Sequence, residues 1–299
     1  MFATGSLGSA TGFGKPYGIA ARKGRIYVTD TVKRGILVFD VPGKDFKMIG
    51  TEGPGALQKP IGIDITKEGE IFVADNSAKR IVVFNEDGQF LRAFGNRSIL
   101  RRPSGVAVSP DGLHAYVIDT GGVTTQEHHL YIFNAKTGEL EKTVGTRGRG
   151  DGDFNLALQV TTADDGTVYV TDSGNFRVQA FNPDGSHKLS FGTVGRKIGN
   201  FARPKGISTD AEGNIYVVDS AFGNFQIFND KAQLLMFIGQ RGEHSSPGQY
   251  MLPAGITIDE DGRVYLVGQF HRKVDIFRPA AIETNGGYLG GEHLRKDKK

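Results

Sequence analysis

The chain of 299 residues contains no cysteine. That absence excludes a disulfide framework, a haem-attachment cysteine pair, a thiolate metal site and a thiol nucleophile. No apolar run is long enough to cross a membrane as a helix. The first residues lack an apolar stretch flanked by basic ones, so no secretory leader is expected, and Met1 reads as the start of a mature or trimmed chain. No window holds apolar residues at sustained helical spacing, which argues against helical repeats. A Gly-any-Ser-any-Gly elbow, a phosphate loop and an adjacent nucleophile and base are also missing. The net charge of +3 is too small to imply a nucleic-acid partner by itself.

What is abundant is turn chemistry and alternation. The 43 glycines punctuate short segments rich in Val, Ile, Tyr and Phe. One phrase recurs six times: Pro-any-Gly-Ile/Val, a gap, Tyr-Val-any-Asp, and an apolar run ending in Phe. It is clear in Pro16-Tyr17-Gly18-Ile19 with Tyr27-Val28-Thr29-Asp30, and again from Pro60, Pro103, Pro204 and Pro253. A weaker copy starts at Ala157 and lacks both the Pro and the Gly. Blade six has Gly268 where the others have Asp. The starting positions lie 43 to 54 residues apart, the range of propeller blades.

Each copy predicts four strands. In the second they span 61–66, 70–75, 80–85 and 90–94, separated by turns such as Asn85-Glu86-Asp87-Gly88. The expected fold is all-β, a six-bladed propeller of four-stranded antiparallel blades over 1–279. A Gly- and Lys-rich C-terminal tail follows over 280–299. It is expected to be flexible and suited to docking on a partner or a second copy. Five copies end in an apolar-Gly step such as Phe94-Gly95, and the sixth lacks one. Residues 1–5 resemble it, so the N-terminus is expected to supply the outer strand of blade six and close the ring.

Asp172-Ser173-Gly174-Asn175-Phe176-Arg177-Val178, and the stretch 75–84, resemble the NHL repeat, and the likeness extends over essentially 1–279. That resemblance implies a six-bladed propeller. It leaves activity open, because the family includes protein-interaction scaffolds, RNA-binding modules, extracytoplasmic sensor domains and a zinc-dependent amidating lyase. Stand-alone bacterial chains of this kind are often exported, so the resemblance favours a periplasmic or secreted location.

Asp30, Asp75, Asp119, Asp172 and Asp219, one per blade, are expected to satisfy turn amides and to pair with Arg34, Arg80, Arg177 and Lys273. A catalytic zinc needs about three converging ligands. The lyase motif, as the resemblance implies it, is matched only by His128, within an insertion (121–129) that reads as a solvated loop. No metal or cofactor is expected, and the chain is expected not to be an enzyme.

Charge separates the two faces of the disc. Turns joining strands one to two and three to four collect Asp and Glu. The opposite face, with the inter-blade connections, collects Arg101, Arg102, Arg147, Arg149, Arg196, Lys197, Arg203 and Lys205. Its long loops over 145–154, 192–203 and 239–252 carry Phe154, Phe201 and Tyr250, expected beside the arginines. Tyr17 and Lys205 fall in the slot between Pro and Gly, expected at the mouth of the channel, and Phe270 and His271 follow Gly268. Such a field steers anionic partners. Arginine beside aromatics suits a protein hot spot and single-stranded RNA equally. The expected function is a non-catalytic binding scaffold for a protein partner on this face, with RNA on the same face as the alternative and a metal-dependent lyase as the third reading.

Overall fold

The computed structural model describes residues 12–282 and 287–290. Each repeat folds as one blade. In blade two, Pro60–Ile65, Ile71–Asp75, Arg80–Phe84 and Phe90–Phe94 pair antiparallel in chain order. Blades one, three, four and five have the same four strands. Blade six shows Pro253–Ile258, Val264–Gly268 and Lys273–Phe277 among the described residues. The fourth strand expected from residues 1–5 lies outside the described residues, as does most of the expected tail. Part of that tail is not free, because the Tyr288 N–H donates to Asp261 at 2.8 Å.

The first strands surround the axis, each packed on the first strands of both neighbouring blades. Pro16–Arg22 packs against Pro253–Ile258 as it does against Pro60–Ile65, so the ring of inner strands is closed. The approach is too close for a side chain. A Cβ at Gly18 would lie 2.3 Å from the Ile61 carbonyl oxygen, and one at Gly206 would lie 2.3 Å from that of Ala254. This is the physical reason for the repeated Pro-any-Gly. Blade four carries Gln159 there, and its amide fits because the facing residue, Gly105, has no side chain.

The core is distributed between blades. Tyr27, Ile36 and Val38 of blade one pack on Ile71, Val73 and Phe84 of blade two, so second and third strands are apolar on both faces. A further repeat feature lies three residues before each Pro or its Ala157 substitute: Phe13, Leu57, Leu100, Phe154, Phe201 and Tyr250 are all buried. This corrects the expectation for Phe154, Phe201 and Tyr250. They are anchors wedged between blades, not stacking surfaces. The apolar-Gly step seats them, since a Cβ at Gly192 would meet the Phe201 ring and one at Gly145 the Phe154 ring.

The recurrent aspartates are buried and hold the chain entering each blade. Asp30 accepts the N–H groups of Gly14 (2.6 Å) and Lys15 (3.0 Å). Asp119 accepts those of Arg101 (2.6 Å) and Arg102 (2.9 Å), and Asp219 those of Ala202 (2.7 Å) and Arg203 (3.0 Å). Among the described residues the expected pairing with a following cation is found at Arg177, whose Nε lies 2.9 Å from Asp172. Arg80 donates instead to the carbonyls of Pro54 and Ala56, and Lys273 pairs with Asp275 at 2.8 Å. A buried carboxylate needs donors, and backbone amides already supply them here.

Candidate interaction face

The turn between strands two and three lies beside the segment that enters strand one. Thr31 N–H reaches the Lys15 carbonyl, and Ser220 N–H reaches that of Arg203. Turns of this class and the inter-blade connections therefore share one face, as expected.

Three connections on that face are rigid platforms. Residues 145–154 close through a parallel bridge between Arg147 and Phe154, and 192–203 through one between Val194 and Phe201. In 239–252, Gln240–Arg241 pairs in parallel with Gln249–Tyr250. A polar side chain from the third strand clamps each loop, fully buried in blades four and five and nearly so in blade six. Gln179 accepts the Gly152 N–H (3.0 Å) and donates to the Asp153 carbonyl (2.8 Å). Gln226 accepts the Gly199 N–H (2.7 Å) and donates to the Asn200 carbonyl (2.9 Å). In blade six, Asp275 binds the Tyr250 hydroxyl (2.7 Å) and the Lys273 ammonium, which also donates to Ser246 (2.9 Å). Sequence reasoning missed these clamps, although their signal is visible. Leu37, Val82 and Tyr131 hold the same position in the blades without such a loop.

On these platforms Arg149, Arg196, Lys197 and Arg203 are exposed, as are Arg101 and Arg102 ahead of blade three. Arg147 is half-buried. Arg101 lies 3.7 Å from Glu127, whereas Arg102, Arg149, Arg196, Lys197 and Arg203 make no ion pair among the described residues. The cations crowd one another. Burial first, then Arg102, Arg97 and Lys59, push the Lys79 ammonium below its ordinary range, against the pull of Asp119. Some acidic residues of the other face are compensated: Arg25 meets Asp40 and Glu86, and Arg92 meets Glu70 at 2.7 Å.

Tyr17 and Lys205 do meet at the channel mouth. The Lys205 ammonium sits 4.5 Å from the centre of the Tyr17 ring and donates to Gln269 at 2.7 Å, and Gln269 donates to the Pro16 carbonyl at 3.0 Å. Blades one, five and six are thus linked across the axis. Burial, with Arg203 and Lys15 nearby, brings the Lys205 ammonium down to about 8. Burial pushes the Tyr17 hydroxyl up to about 12. Arg203 and Arg241 line a separate cavity of about 270 Å³ with Met251 and Leu252. Arg101 and Arg102 lie apart from it, two blades away. Phe270 is 55 % exposed and stacks edge-on against His271, whose Nε2 lies 3.3 Å from the Gly242 carbonyl.

His128 is not in a solvated loop, which is a second correction. It is buried, accepts the Leu156 N–H at Nδ1 (3.1 Å), and bonds the Gly122 carbonyl through Nε2 (2.9 Å). It takes the amide next to the one bound by Asp172 (Asn155, 2.7 Å). Both ring nitrogens are engaged in backbone bonds. Among the described residues no three His, Cys, Asp or Glu converge as metal ligands. At the other end of the channel, Asp64 and the hydroxyls of Thr162, Thr209 and Thr257 line a cavity of about 220 Å³. Burial raises the Asp64 carboxyl to about 6, although the Val108 and Ile65 amides pull it down. No helix is long and apolar enough to cross a membrane among the described residues.

The NHL-repeat family model matches residues 57–84 and 154–181, from the buried anchor to the last Phe of the third strand in blades two and four. The chain is 26% identical over 152 residues to human NHL repeat-containing protein 3, covering 46% of this chain and 40% of that protein. It therefore spans well under half the length of that relative. A solved structure from Bacteroides thetaiotaomicron superposes with a TM-score of 0.71 at 17% identity, over 90% of this chain and 70% of the other. The virginiamycin B lyase of Staphylococcus aureus does so at 0.61 and 14% identity, over 89% and 85%. At those identities the likeness is one of fold.

Proposed function

We propose that this six-bladed NHL-repeat propeller is a non-catalytic binding scaffold whose loop-bearing face docks an acidic protein partner. One observation carries the reading. Val32, Val123, Val194, Ile198, Leu252 and Phe270 are large apolar side chains exposed by 42% to 66%, and all six lie on the face that holds the unpaired arginines. Scattered exposed apolar residues are ordinary, but their gathering on one charged face is the composition of a protein interface. A single-stranded RNA platform requires exposed aromatic rings. Here Phe154, Phe201 and Tyr250 are buried, and Phe270 is the exposed aromatic that remains among the described residues of that face.

The test compares proteins retained from native extracts by the intact chain and by the triple variant Arg102→Glu, Arg149→Glu, Arg203→Glu, with a labelled oligouridylate titrated in parallel at low salt. Acidic proteins should be retained by the former, lost from the latter, and released by moderate salt, while the oligonucleotide stays free. Oligonucleotide binding that the triple variant abolishes would replace this reading with the RNA one. Retention indifferent to charge reversal would remove the face from consideration.

A further inference from the structure

In blades one to five the fourth strand is an edge, and among the described residues its outer backbone groups face no further strand. Natural edges are commonly guarded by charge. Asp45–Ile49 carries Asp45 and Lys47, Phe90–Phe94 carries Arg92, Leu140–Val144 carries Glu141 and Lys142, and His187–Phe191 carries Lys188. Leu234–Ile238 of blade five reads Leu-Leu-Met-Phe-Ile and carries none. Leu235, Met236 and Phe237 are exposed by 52%, 52% and 47%. Such a strand is poorly suited to open water, and nothing among the described residues pairs with its free edge.

The surroundings specify what would fit. Phe237 lies beside a groove of about 210 Å³ that also involves Ile198, Phe222 and the basic pair Arg196 and Lys197. The groove is framed by the 192–203 loop, which Gln226 holds in place. Phe237 belongs both to this groove and to the open strand, and Asn224, Gln226 and Gln240 add polar groups to the lining beside the unpaired cations. We propose that blade five adds an extended segment of a partner protein to the Leu234–Ile238 edge, with apolar side chains in the Ile198–Phe237 groove and an acidic side chain against Arg196 and Lys197. Main-chain pairing supplies affinity in this mode, while the alternate side chains supply specificity. The site rests on the scaffold reading and lies where the loop-bearing face meets the flank, and none of the three residues changed in the triple variant lines its groove.

A library of displayed random eight-residue peptides, selected on the intact chain, tests it. Enriched peptides should alternate apolar residues and contain Asp or Glu. They should bind at least tenfold more weakly to Met236→Lys and to Arg196→Glu, both changes at exposed positions, and lose binding when alternate peptide amides are N-methylated. Amide hydrogen exchange over 234–238 should slow in the complex. The same peptides should bind the Arg102, Arg149, Arg203 triple variant unchanged, which separates failure of the flank from failure of the face. The proposal is overturned if no peptide enriches or if enriched peptides ignore Met236→Lys. It is equally overturned if the edge amides are already protected in the free monomer, or if the chain dimerises and Met236→Lys dissociates it, since the edge would then belong to the chain itself.

Discussion

At the scale of single residues, burial decides what a side chain can do, and burial is what sequence conveys least well. Lys205 shows the consequence. Its pKa in the folded chain is about 8, below the ordinary 10.5, so the folded state gives up the proton first. The burial cost of the ammonium is therefore fully present below pH 8 and is relieved as pH rises towards 10.5. Lys205→Met should change stability at pH 7 by up to about 3 kcal/mol in its favour, less what the Gln269 bond and the Tyr17 ring return. In thermal melts that difference should shrink between pH 8 and 10, and a constant difference would contradict it. Asp64 has the opposite sign. Its carboxyl is raised from 3.8 to about 6, so the cost of the buried charge is present above pH 6 and fades as pH falls to 4. Asp64→Asn should be neutral or stabilising at pH 7 and lose that advantage by pH 4. Phe201 was legible as a hydrophobic residue in a basic loop but not as a core residue. Its wedge position becomes visible only when all six copies are aligned three residues ahead of the Pro. Phe201→Ala should cost about 3–5 kcal/mol in denaturant unfolding, the range for emptying a packed aromatic site.

At the scale of elements, strand boundaries, turn positions and the two faces were readable, because a period-2 pattern and turn residues are local signals. Long-range satisfaction was not readable. The insertion around His128 has the polarity of a solvated loop, yet the ring is needed inside to accept the Leu156 amide. Blade four, which has lost the Pro and Gly, is nonetheless one of the two copies that match the family model. It retains the anchor Phe154, the buried Asp172 and the Arg177 partner, and it folds as a four-stranded blade without the Pro and Gly. The loop clamps follow the same logic. Gln226→Leu removes the partner of the Gly199 N–H and of the Asn200 carbonyl, and an unmet buried polar group costs about 1–3 kcal/mol. Hydrogen exchange in 195–201 should therefore accelerate in Gln226→Leu while the inner strands stay protected. Uniform acceleration across the ring would show that Gln226 supports the whole blade instead of its loop.

At the scale of the whole molecule, the inner strands form a ring too tight for side chains at Gly18, Gly62, Gly206 and Gly255, and the blades radiating from it leave two unlike faces. One face pairs several of its acidic side chains with its own cations, among them Asp40 and Glu86 with Arg25 and Glu70 with Arg92. The other holds cations that crowd one another, among exposed apolar side chains and on loops fixed from below. A small net charge of +3 conceals this asymmetry. An unpaired basic face raises association rates with acidic partners, and salt screens the effect within about 10 Å at 0.1 M. The measurement that tests the account most directly is amine-reactive cross-linking, read by mass spectrometry, of the chain with the acidic proteins it retains from native extract. Cross-links should fall on Lys15, Lys59 and Lys197 of the loop-bearing face. Cross-links confined to Lys23, Lys67 and Lys136 on the opposite face would contradict it.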